Sequence, residues 1–302
     1  MENSGIQPRL RARNEGRFAK EINLIPPQTE QTIINTLLAL KADGITEDTL
    51  KQLSFQLKTI AGNVDITNPE AVKLYIATAK NQTTGNPPQN EARNKLAYAY
   101  DKYCQKQNIT WKKPYYYVEE KTPLIPTTEN VSAIINTATK NYAVIFTILA
   151  ETGAEGKELE NVSQSDTDPE QGLISIRGHK VHASGTYKLK QHTAEMLREY
   201  LHKYKQEHPF PRSKIMGDIW RRTRTRASQK LCKPELNKIV LQNLRNYSGA
   251  QLYYKTQDPI AVMCHLRHKK LETTMHYIRG ITTGQEEEYA QQKSYCSEHQ
   301  QR

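Results

Sequence analysis

The sequence predicts a mainly α-helical protein with one small β-sheet, divided into two domains. Three observations carry that prediction. Apolar residues recur at helical spacing over most of the chain, as in Leu50, Leu53, Leu57 and Ile60. Strand-like composition is confined to two short runs, 172–177 and 185–189. A stretch with three prolines and no helical period, residues 111–126, separates two helical blocks, and 302 residues suffice for two cores.

Residues 1–28 read as a flexible basic arm. Arg9, Arg11, Arg13, Arg17 and Lys20 stand among Gly and Asn ahead of the Pro26-Pro27 break. Such an arm is either a solvated tail or a strip that lies along phosphates. Four helices follow across residues 29–110. The first, Thr29 to Lys41, carries Ile33, Ile34, Leu37, Leu38 and Leu40. Thr46-Glu47-Asp48-Thr49 is an N-cap style start for the second, which runs to Ala61. Asn68-Pro69 opens the third, through Val72, Leu74, Ile76 and Ala79. After Gly85-Asn86-Pro87-Pro88, the fourth spans Gln89 to Gln107 with Leu96, Tyr100 and Tyr103 on one stripe. In the linker, Tyr115-Tyr116-Tyr117 can stack on bases or pack against a domain, and packing is the favoured reading.

The second domain, residues 127–283, begins with a capped helix at Thr127-Thr128-Glu129. Its most apolar helix, Tyr142 to Glu151, is expected at the centre of the core. The two strand runs form a hairpin or sheet edge. Helices resume at Thr193–Lys205 and around Gly217–Leu231, and two short ones are expected at Tyr247–Tyr254 and Pro259–Leu266. Arg221, Arg222, Arg224 and Arg226 fall within six residues of one helix, too many for a single face. They form either a solvated surface or a set of phosphate contacts, and the nearly unopposed charge favours the latter. Residues 284–302 read as a final helix or tail.

Composition narrows the partners. A net charge of +11, a pI near 9.3 and a mean hydropathy of −0.78 point to a polyanion, nucleic acid before anionic membrane. No apolar run approaches the roughly 20 residues that span a bilayer. The N-terminus has no apolar core after its charges, so no secretory signal is expected. Cys104, Cys232, Cys264 and Cys296 show no paired spacing, which fits reduced thiols of a cytoplasmic protein and neither a zinc site nor a disulfide framework.

The chemistry-bearing stretch runs from Gln242 to Tyr277. It holds Arg245, then His268 after 23 positions, then Tyr277 after 9 more. An arginine holds a phosphate with two parallel bonds, a histidine donates to a phosphoryl oxygen, and a tyrosine hydroxyl attacks phosphorus. With 17 tyrosines in the chain, spacing alone is weak. The flanking residues add to it: Gln242-Asn243-Leu244-Arg245-Asn246, Leu266-Arg267-His268-Lys269-Lys270 and Thr273-Thr274-Met275-His276-Tyr277. Together they resemble the C-terminal signature of the tyrosine recombinases (phage and archaeal integrases, Xer-type enzymes), H-x-L-R-H, then L-G-H-x-S, then the nucleophilic tyrosine.

The resemblance covers about residues 89–280. It implies a helical, SAM-like core-binding domain ahead of an α+β catalytic domain, with Arg93, Lys95 and Lys102 as candidate phosphate contacts. It implies duplex DNA as partner, a homotetramer on DNA with a monomer allowed without it, a tail helix docked on a neighbour, and no cofactor or metal. It assigns Tyr277 as nucleophile, Arg245 and His268 as phosphate ligands, and Lys180 (with Lys188 as the alternative) as the general-acid lysine. His265 and His276 read as structural or solvated. Two positions depart from the pattern. The first family arginine, in T-G-x-R-x-x-E-L, is Glu155 in Thr152-Gly153-Ala154-Glu155-Gly156-Lys157-Glu158-Leu159, and the first-motif histidine is Gln242. Lys157 lies about 200° around a helix from position 155, so it does not simply take over. Two functions follow: a site-specific recombinase that cleaves through a 3′-phosphotyrosyl link, or an impaired recombinase-fold protein that occupies DNA sites. An unrelated helical nucleic-acid-binding protein is the weaker third.

Overall fold

The computed structural model describes residues 25–79, 89–119, 123–179 and 182–282. It divides into two compact units, residues 1–120 and 121–302. In the first, α1 (Pro27–Ala42), α2 (Glu47–Ala61), α3 (Pro69–Thr78) and α4 (Asn90–Gln107) enclose one core. The helical repeats seen in the sequence are its lining: Ile33, Leu57, Ile60, Val72, Ile76 and Tyr100 are fully buried. Asn68 caps α3 by accepting from the backbone N–H groups of Glu70 and Ala71, with Pro69 in the first turn. Thr46 is the N-cap residue of α2 by position, but its side chain makes no capping bond to the backbone and its hydroxyl instead meets that of Thr49 at 3.0 Å. The Tyr100 hydroxyl donates to the Ile66 carbonyl at 3.0 Å, so its polar end is satisfied inside the core.

The first part of the proline-rich stretch belongs to this unit. Trp111 packs edge-on against Tyr100 with centroids 4.6 Å apart. Tyr116 exchanges backbone bonds with the Asn94 amide and lies under the Arg93 guanidinium. Tyr115 and Tyr117 remain 81% and 73% exposed, so only the middle residue of the run packs.

The second unit contains α5 (Thr128–Thr137), α6 (Lys140–Thr152), α7 (Gly156–Glu160), α8 (Gln191–Lys203), α9 (Ser213–Lys230), α10 (Asn243–Thr256), α11 (Pro259–His265) and α12 (Leu271–Thr282). Its sheet has the order β1 (Thr167–Asp168), β2 (Leu173–Ile176), β3 (Gly185–Lys188), all antiparallel. The register pairs Ile174 with Tyr187 and Ile176 with Gly185, so β2 and β3 form the expected hairpin. The helix α6 is central as its composition requires, with Val144, Ile145, Phe146, Ile148 and Leu149 all buried. Phe146 meets Trp220 edge-to-face at 4.8 Å, and the Trp220 indole donates to the Ile239 carbonyl at 2.9 Å.

One glycine sets the path into the site. Gly153 ends α6 at φ 63°, and a Cβ built there would fall 2.7 Å from the Leu266 side chain. Both the left-handed backbone and the close approach exclude a larger residue. The end of α6 is thereby brought against Leu266 and Ser248. Among the described residues, no helix is long and apolar enough to cross a membrane. Residues 1–24 of the arm and the tail helix expected at 284–302 lie outside the described residues.

Candidate active site

Arg245 enters from the first turn of α10 and is 1% exposed. Its Nη1 donates to the Gly153 carbonyl at 2.6 Å, and Nη2 donates to the Leu266 carbonyl. The same Nη2 stands 3.3 Å from His182 Nε2, and His182 Nδ1 stands 2.9 Å from Glu158 Oε1. A guanidinium only donates and a carboxylate only accepts. The tautomer with its proton on Nδ1 therefore satisfies both contacts of His182.

Glu158 is the hub of this cluster and is fully buried. Its Oε2 accepts the Glu155 backbone N–H at 2.8 Å, closing the first turn of α7, and the Arg267 guanidinium at 2.5 Å. Arg245 Nη1 is 3.9 Å from the same oxygen. Burial alone would raise the Glu158 pKa. The Glu155 N–H, the Arg267 charge and His182 outweigh it, and the carboxyl is held below its ordinary value.

His268 lies on the segment after α11 with its ring 6.0 Å from that of His182. Its Nδ1 is 2.9 Å from the Thr274 hydroxyl, and Thr274 is fully buried in α12. Tyr277 is one turn further along the same helix, roughly 60° around the axis from Thr274. The side chain of Tyr277 lies outside the described set. Burial, then the charges of Arg245, His182 and Arg267, push the His268 pKa down to about 4. His265, whose Nε2 is 2.8 Å from the Ser248 hydroxyl, is likewise pushed to about 4 by burial and by Arg267 and Arg245. Both rings are neutral at pH 7.

That neutrality has a stability consequence. Between pH 6.5 and 4 the unfolded chain takes up protons on these histidines that the folded chain refuses. Their contribution is complete above pH 6.5 and is lost as the pH falls toward 4, at about 1.4 kcal/mol per pH unit for each ring. We expect the urea midpoint to drop across that window, and to drop less in His265→Gln. A midpoint constant from pH 6.5 to 4 in the unsubstituted protein would contradict the buried neutral state.

The two departures from the motif touch each other. Gln242 Nε2 donates to Glu155 Oε1 at 3.4 Å, at the outer edge of hydrogen bonding, with Gln242 exposed and Glu155 half-buried. Lys157 is exposed and pairs with Glu160 at 2.8 Å. Lys180 lies outside the described residues. Lys188, its alternative, donates to the Gln171 carbonyl at the far end of the hairpin and does not enter the site. Asn246, where the motif has its second histidine, donates to the Leu124 carbonyl at 3.0 Å.

The candidate phosphate contacts divide in two. Lys95, Arg222 and Arg226 are exposed, the latter two one turn apart on α9. Arg221 is exposed but paired with Asp218 at 2.9 Å. Arg224 is turned inward, donating to the Ile239 carbonyl at 2.7 Å, and burial lowers its pKa. Arg93 is half-buried and ties α4 to the Ala77 carbonyl and the Tyr116 ring. Lys102 bonds Gln105 at 3.2 Å and lies over Tyr98.

Three residues of the cluster carry little signal in the sequence: Glu158, His182 and Arg267. Glu158 was visible as the acidic position of the T-G-x-R-x-x-E-L pattern, and Arg267 as an arginine where the second motif has glycine. His182 carried no sequence signal beyond its place in the hairpin loop.

A family model for the phage integrase family matches residues 126–282. A probable integrase/recombinase protein, MJ0367, of Methanocaldococcus jannaschii is 25% identical over 146 residues. That match covers 45% of this chain and 44% of the relative, so the chain spans less than half the length of the curated relative it matches. Among solved structures, the Tn1549 transposon integrase in complex with transposon right end DNA superposes with a TM-score of 0.62 at 12% identity. It covers 82% of this chain and 94% of that one. The XerH site-specific recombinase bound to difH substrate gives a TM-score of 0.58 at 16% identity, covering 88% and 84%. At these identities the likeness is one of fold: helical, with a small three-stranded sheet, as in tyrosine recombinases.

Proposed function

The chain belongs to the phage integrase family, and on that footing we propose that it is a site-specific DNA recombinase. It binds duplex DNA and breaks and rejoins strands through a 3′-phosphotyrosyl intermediate on Tyr277. The reading is supported above all by the His268–Thr274 bond. That contact fastens the helix bearing Tyr277 to the pocket that holds Arg245.

The chemistry then follows from the groups at hand. The Tyr277 hydroxyl attacks the scissile phosphorus, the bond to the 5′-oxygen breaks, and phosphotyrosine conserves the bond for religation. Negative charge grows on the phosphoryl oxygens in the transition state. Arg245, held in place by Gly153 and Leu266, is a preorganised cation for that charge. His268, neutral at pH 7, carries one ring N–H to donate and one lone pair to accept. Lys180, which falls between β2 and β3 in the sequence, is the proposed proton donor to the leaving oxygen. Strand exchange between two duplexes needs a cleaving protomer at each of four strands, hence a tetramer on DNA. Arg222, Arg226 and Lys95 are the exposed cations proposed to meet phosphates.

A second reading rests on the Glu155–Gln242 contact. A carboxylate replaces a phosphate-binding arginine there, and such a chain could occupy DNA sites without turnover. The two readings separate on one experiment. Duplexes are selected from a random pool by binding to the protein, nicked near each candidate position so that the cleaved end is lost, and resolved on a denaturing gel. A covalent protein–DNA adduct is expected; tight binding with no adduct at any nick would favour site occupancy.

A further inference from the structure

Arg267 is 3% exposed and sits at φ 60°, the left-handed position that closes α11 as the His268 N–H donates to the Met263 carbonyl at 3.0 Å, where glycine is the favoured residue. A charge buried at a position that glycine usually fills points to work done by that side chain. The chain beyond Cβ runs along Gly185 at the start of β3, where a built Cβ would lie 3.3 Å from Arg267 Cδ. The guanidinium lies over the Tyr187 ring at 5.2 Å and donates from Nη1 to its hydroxyl and from Nη2 to Glu158 at 2.5 Å. Its Nε–H is buried with no hydrogen-bond partner among the described residues.

The contacts also fix how charge is shared. Glu158 faces two guanidiniums, Arg267 at 2.5 Å and Arg245 at 3.9 Å from the same oxygen. One carboxylate cannot neutralise both, and the nearer arginine takes most of it. We propose that Arg267 is a positioning residue that replaces in effect the arginine absent at position 155: by neutralising Glu158 it leaves the Arg245 charge for the scissile phosphate. Without Arg267, the buried Glu158 carboxylate would turn on Arg245, and the pocket would hold one cation against one anion. With it, two cations face one anion and the cluster carries a net positive charge, while Glu155 stays at the rim on Gln242. The proposal rests on the recombinase reading above for its catalytic meaning.

Arg267→Gly is the natural probe, because glycine accepts φ 60° without strain. Adduct formation on the nicked duplex is expected to slow by about 100-fold in Arg267→Gly. In Arg267→Gly/Glu158→Gln the carboxylate that would neutralise Arg245 is gone, and the rate is expected to recover to within about tenfold of the parent. A merely structural Arg267 would give a double variant no faster than the single one, and that result, or a single variant at the parent rate, overturns the proposal. A second readout needs no turnover. The ring-nitrogen NMR titration of His268 is expected to move to higher pH in Arg267→Gly, where an unneutralised carboxylate favours imidazolium, and to return in the double variant. If the unsubstituted protein forms no adduct, the recombinase reading fails by itself, and an unchanged His268 midpoint in Arg267→Gly then sinks the charge proposal separately.

Discussion

Tyr277→Phe is expected to abolish the covalent adduct entirely while leaving fold and duplex binding intact. The substitution deletes one oxygen and keeps the ring, so helix α12 retains its contacts through Thr274, Met275 and Ile278. No neighbouring hydroxyl takes over, because in-line attack on phosphorus depends on a nucleophile aligned within a few tenths of an ångström. The expected result is an adduct below detection together with an unchanged salt dependence of DNA binding, since that slope counts phosphate contacts. A Tyr277→Phe protein that still forms the adduct would move the nucleophile elsewhere in the chain.

Arg245→Ala is expected to damage stability and chemistry together. The guanidinium serves the Gly153 and Leu266 carbonyls and His182, all at a position 1% exposed. Removing it strands buried acceptors and opens a cavity, for a loss of about 3–5 kcal/mol in unfolding free energy. Urea denaturation measures that loss directly. Cleavage should fall by at least about 100- to 1,000-fold on top of any loss of folded protein, as when a transition-state donor is removed. Arg245→Lys separates the two effects. Lysine restores the charge but cannot fork toward two carbonyls, so stability should return in part while cleavage stays low. Full cleavage in Arg245→Lys would mean that charge alone, without the fixed geometry, suffices.

These expectations rest on features of unequal visibility in the sequence. The helical repeats were legible because a buried stripe of Leu and Ile has one physical explanation at that spacing, and Leu53, Leu57, Val72 and Ile76 line the core accordingly. Arg245 and His268 were legible as motif positions, and the structure brings them to one pocket. The helix α7 was not, since five residues show no period; it is held by the Glu158 side chain closing back on the Glu155 N–H. The two-residue β1 escaped for the same reason. Charged residues are the least legible. Arg93 and Arg224 look like surface cations in a basic sequence, yet each is half-buried and donates to a backbone carbonyl of its own unit. The convergence of Glu158, His182 and Arg267 spans 109 positions between its outer members. No local pattern encodes such a meeting, and a left-handed arginine at 267 is visible only once its backbone is seen.

The departures at 155 and 242 also read differently in three dimensions. In the sequence they are two separate departures from the motif. In the fold they are one contact, an amide donating to a carboxylate, beside a cluster that has gained an arginine. A pocket so arranged keeps a cation next to His268 despite the charge reversal.

The most direct test is to find where the DNA is attached. The protein is incubated with a binding-selected nicked duplex, the adduct is trimmed by nuclease and protease, and the modified peptide is sequenced by mass spectrometry. The expected product is a nucleotide joined through its 3′-phosphate to Tyr277. A nucleotide on any other residue, a 5′-phosphate linkage, or intact DNA after tight binding at every nick position would contradict strand exchange through Tyr277.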